Sequence, residues 1–159
     1  LFSNGGAYAD LSTSVMERAM LHSENAYFIP HAKIQGTVCR CNIHPNTAFR
    51  GFGGPQGIAT IEAIMEEIAT FLKIDSYEIR RRNVYGVQGQ STPYGQIVEN
   101  NTLPELFELL HSSSEYQKRR EEIAQYNAQN PMRWRGLSMT GVKFGISFTS
   151  STFIKILIL

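Results

Sequence analysis

One arginine stands between two phenylalanines in a glycine-rich run: Asn46-Thr47-Ala48-Phe49-Arg50-Gly51-Phe52-Gly53-Gly54-Pro55-Gln56-Gly57. Arginine offers a permanent charge and a planar fork of donors. Glycines let backbone come close to a ligand, and Pro55 suits the first turn of a helix, where its missing N–H has no intrahelical partner to lose. Ile58, Ile61, Ile64, Met65, Ile68, Phe71 and Leu72 then recur at helical spacing, predicting a helix from Pro55 to Lys73. A helix N-terminus favours an anion. The chemistry on offer is therefore the holding of a flat, anionic ligand. The plain alternative is a tight turn before an ordinary helix, with its aromatics in the core. Gly51-x-Gly53-x-x-x-Gly57 misses the dinucleotide pattern G-x-G-x-x-G by one residue, and no Gly-Lys-Ser/Thr is present for a phosphate loop.

Other reactive types carry weaker signals. Arg18 sits in the middle of a predicted helix and, taken alone, reads as a solvated charge. Cys39 and Cys41 would share one face of a strand, either as a metal or redox pair or as two small core residues; without a second pair the core reading stands. His22, His31, His44 and His111 show no metal-binding spacing. Glu66 and Glu67, adjacent on a helix, diverge by about 100° and make a poor catalytic pair. Arg80, Arg81 and Arg82 read as a solvated helix end rather than a phosphate or RNA site.

The elements that must position these residues follow from pattern. Residues 1–6 read as strand and turn. Asp10 or Ser12 can cap a helix reaching Ser23, with Leu11, Val15, Ala19 and Leu21 or His22 on its apolar side. Residues 29–42 alternate loosely as a strand. Asp75 or Ser76 caps a short helix through the arginines, and residues 86–101 form a polar surface loop. Helices from Leu103 and from Ser114 to Asn127 make an outer hairpin. Residues 134–149 alternate as one or two strands. The fold class is α+β, with the long helices packing on strands near 34–42 and 137–148. The chain has 159 residues, 42% hydrophobic and 18% charged, as expected of a folded domain with a core. A net charge of +1 gives no footprint for nucleic acid, two cysteines make no disulfide framework, and no apolar run approaches the ~20 residues that cross a bilayer. A cytoplasmic, reduced compartment is the expectation.

The glycine-rich run resembles the loop over the molybdenum cofactor in the xanthine dehydrogenase/xanthine oxidase family. Four other segments resemble that family in order: Asp10-Leu11-Ser12 through Met16-Glu17-Arg18-Ala19; Tyr27-Phe28-Ile29-Pro30; Arg80-Arg81-Arg82-Asn83-Val84-Tyr85; and Lys143-Phe144-Gly145-Ile146-Ser147-Phe148-Thr149. The resemblance implies that residues 1–149 are part of a large mixed helix-and-sheet molybdopterin-binding domain. Residues 150–159 diverge as an apolar tail, for which a reading-frame or gene-model artefact is one reading. It implies a molybdenum–molybdopterin cofactor, held through its own dithiolene rather than by protein side chains, and FAD and 2Fe-2S groups in other modules or subunits of a homodimeric parent.

The resemblance also assigns roles. Enzymes of this family insert an oxygen from water at an electron-poor carbon, and negative charge builds on the heterocycle as they do so. Arg18 matches the arginine that stabilises this charge. Phe52 and Phe148 match the rings that hold a planar substrate, and Thr149 a substrate-contacting threonine. Phe49, Arg50 and Gly51 match residues around the cofactor, with Arg50 near the molybdenum without binding it directly. The general-base glutamate lies downstream of the match and a second purine-contacting glutamate upstream, so these residues alone should not turn over. The substrate implied is a purine, hypoxanthine or xanthine going to urate, because aldehyde oxidases typically lack arginine at the Arg18 position. An aldehyde oxidase-type hydroxylase and a non-catalytic remnant or scaffold of the fold stay open as alternatives.

Overall fold

The computed structural model describes residues 1–145. In chain order the elements are β1 (Phe2–Gly6), α1 (Ser12–Leu21), β2 (Thr37–Arg40), α2 (Gly54–Leu72), α3 (Ser76–Asn83), α4 (Leu103–Ser113) and α5 (Tyr116–Gln129). β1 and β2 pair in parallel, Phe2 opposite Thr37, with an irregularity between Asn4 and Gly6. The parallel pairing follows from α1, which crosses over between the two strands as parallel connections require. α1 packs on both strands and on α2, and α2 packs in turn on α3.

Local chemistry explains most boundaries. Asp75 caps α3 as expected, its carboxylate accepting the Tyr77 N–H at 2.8 Å. α2 ends at Lys73, whose left-handed backbone (φ +56°) turns its N–H back onto the carbonyls of Ala69 and Thr70. The predicted cap of α1 is corrected. Leu11 takes the cap position without a side-chain bond, and the Ser12 hydroxyl donates to the carbonyls of Gly5 (3.3 Å) and Asn46 (2.6 Å). Ser12 thus ties β1 and the start of the glycine-rich run to the helix, a use that outranks capping.

Two apolar clusters carry the packing. Tyr27, Ile61, Met65, Ala69 and Ile79 form one between α2 and α3; Tyr77, Phe107, Tyr116 and Met139 form the other beneath the α4–α5 hairpin. The buried stripe of α2 is narrower than its sequence suggests. Ile61, Met65 and Ala69 are inside, but Ile64, Ile68, Phe71 and Leu72 are exposed, because the helix is flanked by α1 and α3 rather than laid on a sheet. The Arg80–Arg82 triplet is corrected too. Arg81 and Arg82 are exposed on Glu78, whereas Arg80 is buried, its Nε 2.7 Å from Glu62 and its Nη2 2.8 Å from Glu66. Burial works against the Arg80 charge, but these bonds outweigh it and raise the pKa.

The strands expected over 134–149 and across the whole of 29–42 are also corrected, the first as far as residue 145, since 146–149 lie outside the described residues. β2 spans only Thr37–Arg40, and the described residues from 131 to 145 form no strand. Alternation alone does not make a strand; it needs a neighbouring backbone, and here residues 137–141 are held by side chains instead, with Met139 in the second cluster and the Gly141 carbonyl bonded to Asn25. Among the described residues no helix is long and apolar enough to cross a membrane.

Candidate functional site

The glycine-rich run folds as two interlocked turns. Phe52 N–H donates to the Phe49 carbonyl (2.8 Å) and Gly54 N–H to that of Gly51 (2.9 Å), after which Gly57 N–H reaches Gly53 (3.1 Å) as α2 begins. Arg50 and Gly51 form the crest of the first turn, and Gly51 at φ +92° supplies the positive φ its third position needs. Phe52 also sits at positive φ (+50°), a strained conformation for an aromatic residue and one that concentrates at functional sites. The start of the run is anchored: Asn46 N–H donates to Gly5, and its side chain donates to the Asn4 carbonyl at 2.9 Å.

Two of the glycines have a different use from the one their sequence suggests. A Cβ on Gly53 would collide with the Val15 carbonyl, and one on Gly57 with that of Ala19. Both let the loop and α2 lie directly on α1, and so fix the run against the helix that carries Arg18.

Beside the run opens a cleft of about 490 Å³, lined by β1, by the Ser12–Met16–Ala19 face of α1, by Asn46, Thr47 and Phe49, and by Gln56 and Thr60 of α2. That volume lies within the range of small-molecule sites. Its polar lining consists of amides and hydroxyls, with no carboxylate. Ser12 and Thr60 spend their hydroxyl protons on carbonyls of the fold, so Asn4, Asn46, Thr47 and Gln56 are the side chains that can offer donors to an organic ligand there. Phe49, 83% exposed, stands over the cleft, and Arg50 next to it is exposed as well. Among the described residues no group of three His, Cys, Asp or Glu converges on a metal position.

Arg18 belongs to the opposite edge of α1. Its Nη2 donates to the Gly145 carbonyl at 2.9 Å, and its guanidinium lies 4.7 Å from the centre of the Phe144 ring. Phe144 also meets His22, ring centres 4.9 Å apart, and fills the notch left by Gly54, where a Cβ would come within 2.5 Å of the ring. Arg18, the end of the glycine-rich run and the segment leading toward Phe148 and Thr149 are thereby joined at one aromatic ring. Phe148 and Thr149 themselves lie outside the described residues. His22, one helical turn on, donates from Nδ1 to the backbone carbonyl of Arg18 at 2.8 Å, and burial lowers its pKa.

Sequence reasoning passed over the residues that hold this segment. Asn25, buried just beyond α1, donates to Gly141 (2.8 Å) and Glu62 (2.9 Å) and accepts from the Lys143 N–H (3.1 Å). Lys143 pairs through its Nζ with Glu24, donates to the Tyr94 hydroxyl at 2.8 Å and lies over that ring. Burial raises the Glu24 pKa, against the pull of Lys143. No periodicity marks an asparagine in this role. The only hint was its place beside the helix end, far in sequence from its partners.

Comparison with known proteins places this geometry. Residues 1–84 match the profile of the molybdopterin cofactor-binding domain family. The chain is 46% identical over 150 residues to the xanthine dehydrogenase/oxidase of Mus musculus, covering 94% of this chain and 11% of that protein. It is 42% identical over 151 residues to the nicotinate hydroxylase of Emericella nidulans, covering 94% and 11%. Among solved structures, the aldehyde oxidoreductase of Desulfovibrio gigas superposes with a TM-score of 0.68 at 27% identity, covering 79% of this chain and 14% of that one. The chain thus spans about a tenth of the length of the curated relatives it matches.

Proposed function

This chain belongs to the molybdopterin cofactor-binding domain family, and from that premise we propose that the protein carrying it is a molybdenum hydroxylase acting on purines, taking hypoxanthine and xanthine to urate. The observation that carries the proposal is the setting of Arg18. Its fork is oriented by the Gly145 carbonyl and the Phe144 ring, at the junction of the glycine-rich run and the segment leading to Phe148 and Thr149. A cation so held stabilises charge that grows on a bound heterocycle at little reorganisation cost.

Molybdopterin, when bound, supplies the metal at which substrate oxidation takes place. The rest falls to the chain. Asn46, Thr47 and Gln56 offer neutral hydrogen-bonding groups to the cofactor, while Phe49, Arg50 and Gly51 present an aromatic face, a charge and bare backbone beside it. In this reading Phe52 and Phe148 are the two rings that hold the planar substrate, one face-on and one edge-on, Thr149 is a substrate-contacting residue, and Arg18 faces the charge that builds on the heterocycle. FAD and iron–sulfur groups in other modules or subunits receive the electrons, and the parent is a cytoplasmic homodimer.

The test is purification of the full-length protein, with its molybdenum content measured and turnover compared on a purine and an aromatic aldehyde. Bound molybdenum with preference for the purine supports the proposal. Bound molybdenum with preference for the aldehyde supports the second reading, which the aldehyde oxidoreductase superposition keeps in view. A folded protein without molybdenum would make this segment a non-catalytic scaffold.

A further inference from the structure

Asn25 has no exposed surface, and its backbone is left-handed at φ +47°, a conformation asparagine tolerates better than most side chains. Its amide uses both donors, on Gly141 and Glu62, and accepts from the Lys143 N–H. Gly141 and Lys143 are two residues apart, and one side chain bonds the carbonyl of the first and the amide of the second. That is the spacing at which a neighbouring strand would read an extended segment. The side chain of Asn25 therefore makes the two bonds that a strand partner would make, and among the described residues no strand pairs with this segment.

The register so fixed has consequences beyond the clamp. It sends the Lys143 side chain to Glu24 and Tyr94, and the next side chain, Phe144, onto Arg18, His22 and Gly54. It also brings the Gly145 carbonyl onto the Arg18 guanidinium. A slip of one residue in an extended segment exchanges its two faces, and would move Phe144 off Arg18.

We propose that Asn25 is a positioning residue for Arg18: by holding residues 141–145 in register, its side chain sets Phe144 and the Gly145 carbonyl on the guanidinium and so orients the charge that meets the substrate. This rests on the reading of Arg18 as the residue facing that charge.

The experiment is a mutant cycle in the full-length protein. Asn25→Gly removes the side chain while keeping a residue at ease at positive φ. Phe144→Leu removes the ring but leaves the clamp, and so remains informative if Asn25→Gly fails to fold. Each is made alone and with Arg18→Val. Molybdenum content, purine and aldehyde turnover, and hydrogen exchange of the peptide containing the Lys143 amide are measured. With Arg18 present, either change should lower purine kcat by roughly 10–10²-fold, the scale of a misplaced catalytic contact. In the Arg18→Val background either should lower it less than about twofold, as expected for groups acting as one unit. Exchange at Lys143 should accelerate in Asn25→Gly but not in Phe144→Leu. Equal fold-losses in both backgrounds would overturn the inference alone. Unchanged purine turnover in the Arg18→Val single variant would overturn the reading of Arg18, and the inference with it.

Discussion

Gly53 lies against the backbone of Val15 so closely that any side chain at position 53 would drive into the Val15 carbonyl. The relationship ties the glycine-rich run to the helix that carries Arg18. Gly53 also has φ +96°, which an L side chain adopts only under strain. Gly53→Ala should therefore destabilise by about 2–4 kcal/mol, combining left-handed strain with overpacking. A lowered unfolding midpoint together with reduced molybdenum content in the full-length protein is the expected result. An unchanged midpoint would mean that the loop does not lie on α1 in this way.

Arg80, itself buried, joins α3 to α2 through the largely covered Glu62 and the half-exposed Glu66. Losing Arg80 leaves the largely covered Glu62 carboxylate without its cation, while Glu66 stays in water, at a cost of about 1–3 kcal/mol. Arg80→Met should show that loss in denaturant unfolding. Arg81→Met, on the exposed side of the same helix, should leave the midpoint where it was. Equal effects would contradict the distinction between the two arginines.

How far this was legible depends on the range of the interaction. Asp75 and its helix, the span of α2 and the α4–α5 hairpin were readable because caps and periodicity act within a few residues. The burial of Arg80 was not, since three consecutive arginines look alike until Glu62 and Glu66 arrive from another helix. The strand expectation fails over 134–145 for a related reason. The described part of that segment takes its partners from side chains, and Asn25 carries no sequence signal for acting as one. The glycine-rich run was found at once, yet Gly53 and Gly57 serve helix contact rather than ligand approach. Phe52, Arg50 and Arg18 were singled out from the sequence as residues to watch, while Phe144, the ring that links Arg18 to the run, was noticed only as part of a matching segment.

His22 gives the site a pH dependence of defined sign. Burial lowers its folded pKa below the ordinary 6.5. Between the folded value and 6.5 the unfolded state binds more protons, so stability should decline as pH falls below about 6.5. Thermal midpoints measured across pH 5 to 8 should show this decline in the native protein and a shallower one in His22→Gln. Parallel curves would mean that His22 does not stay neutral in the fold.

Arg50 is exposed at the crest of its turn, and the proposed function sets an anionic cofactor beside it. Arg50→Ala should lower molybdenum occupancy or turnover in the full-length protein while leaving its unfolding midpoint nearly unchanged, because a charge-assisted contact to the ligand is lost without loss of packing. Normal metal content with normal turnover would remove Arg50 from the site.

The central claim is that Arg18 faces a purine on which charge develops. It is tested most directly by the ratio of purine to aldehyde turnover in the full-length protein before and after Arg18→Val, at matched molybdenum content. The account predicts that purine turnover falls by roughly 10²–10³, the scale for one lost charge-stabilising donor, while aldehyde turnover changes far less, so that the ratio collapses. An equal loss on both substrates would contradict it and leave Arg18 as a residue that only holds Gly145 and Phe144 in place.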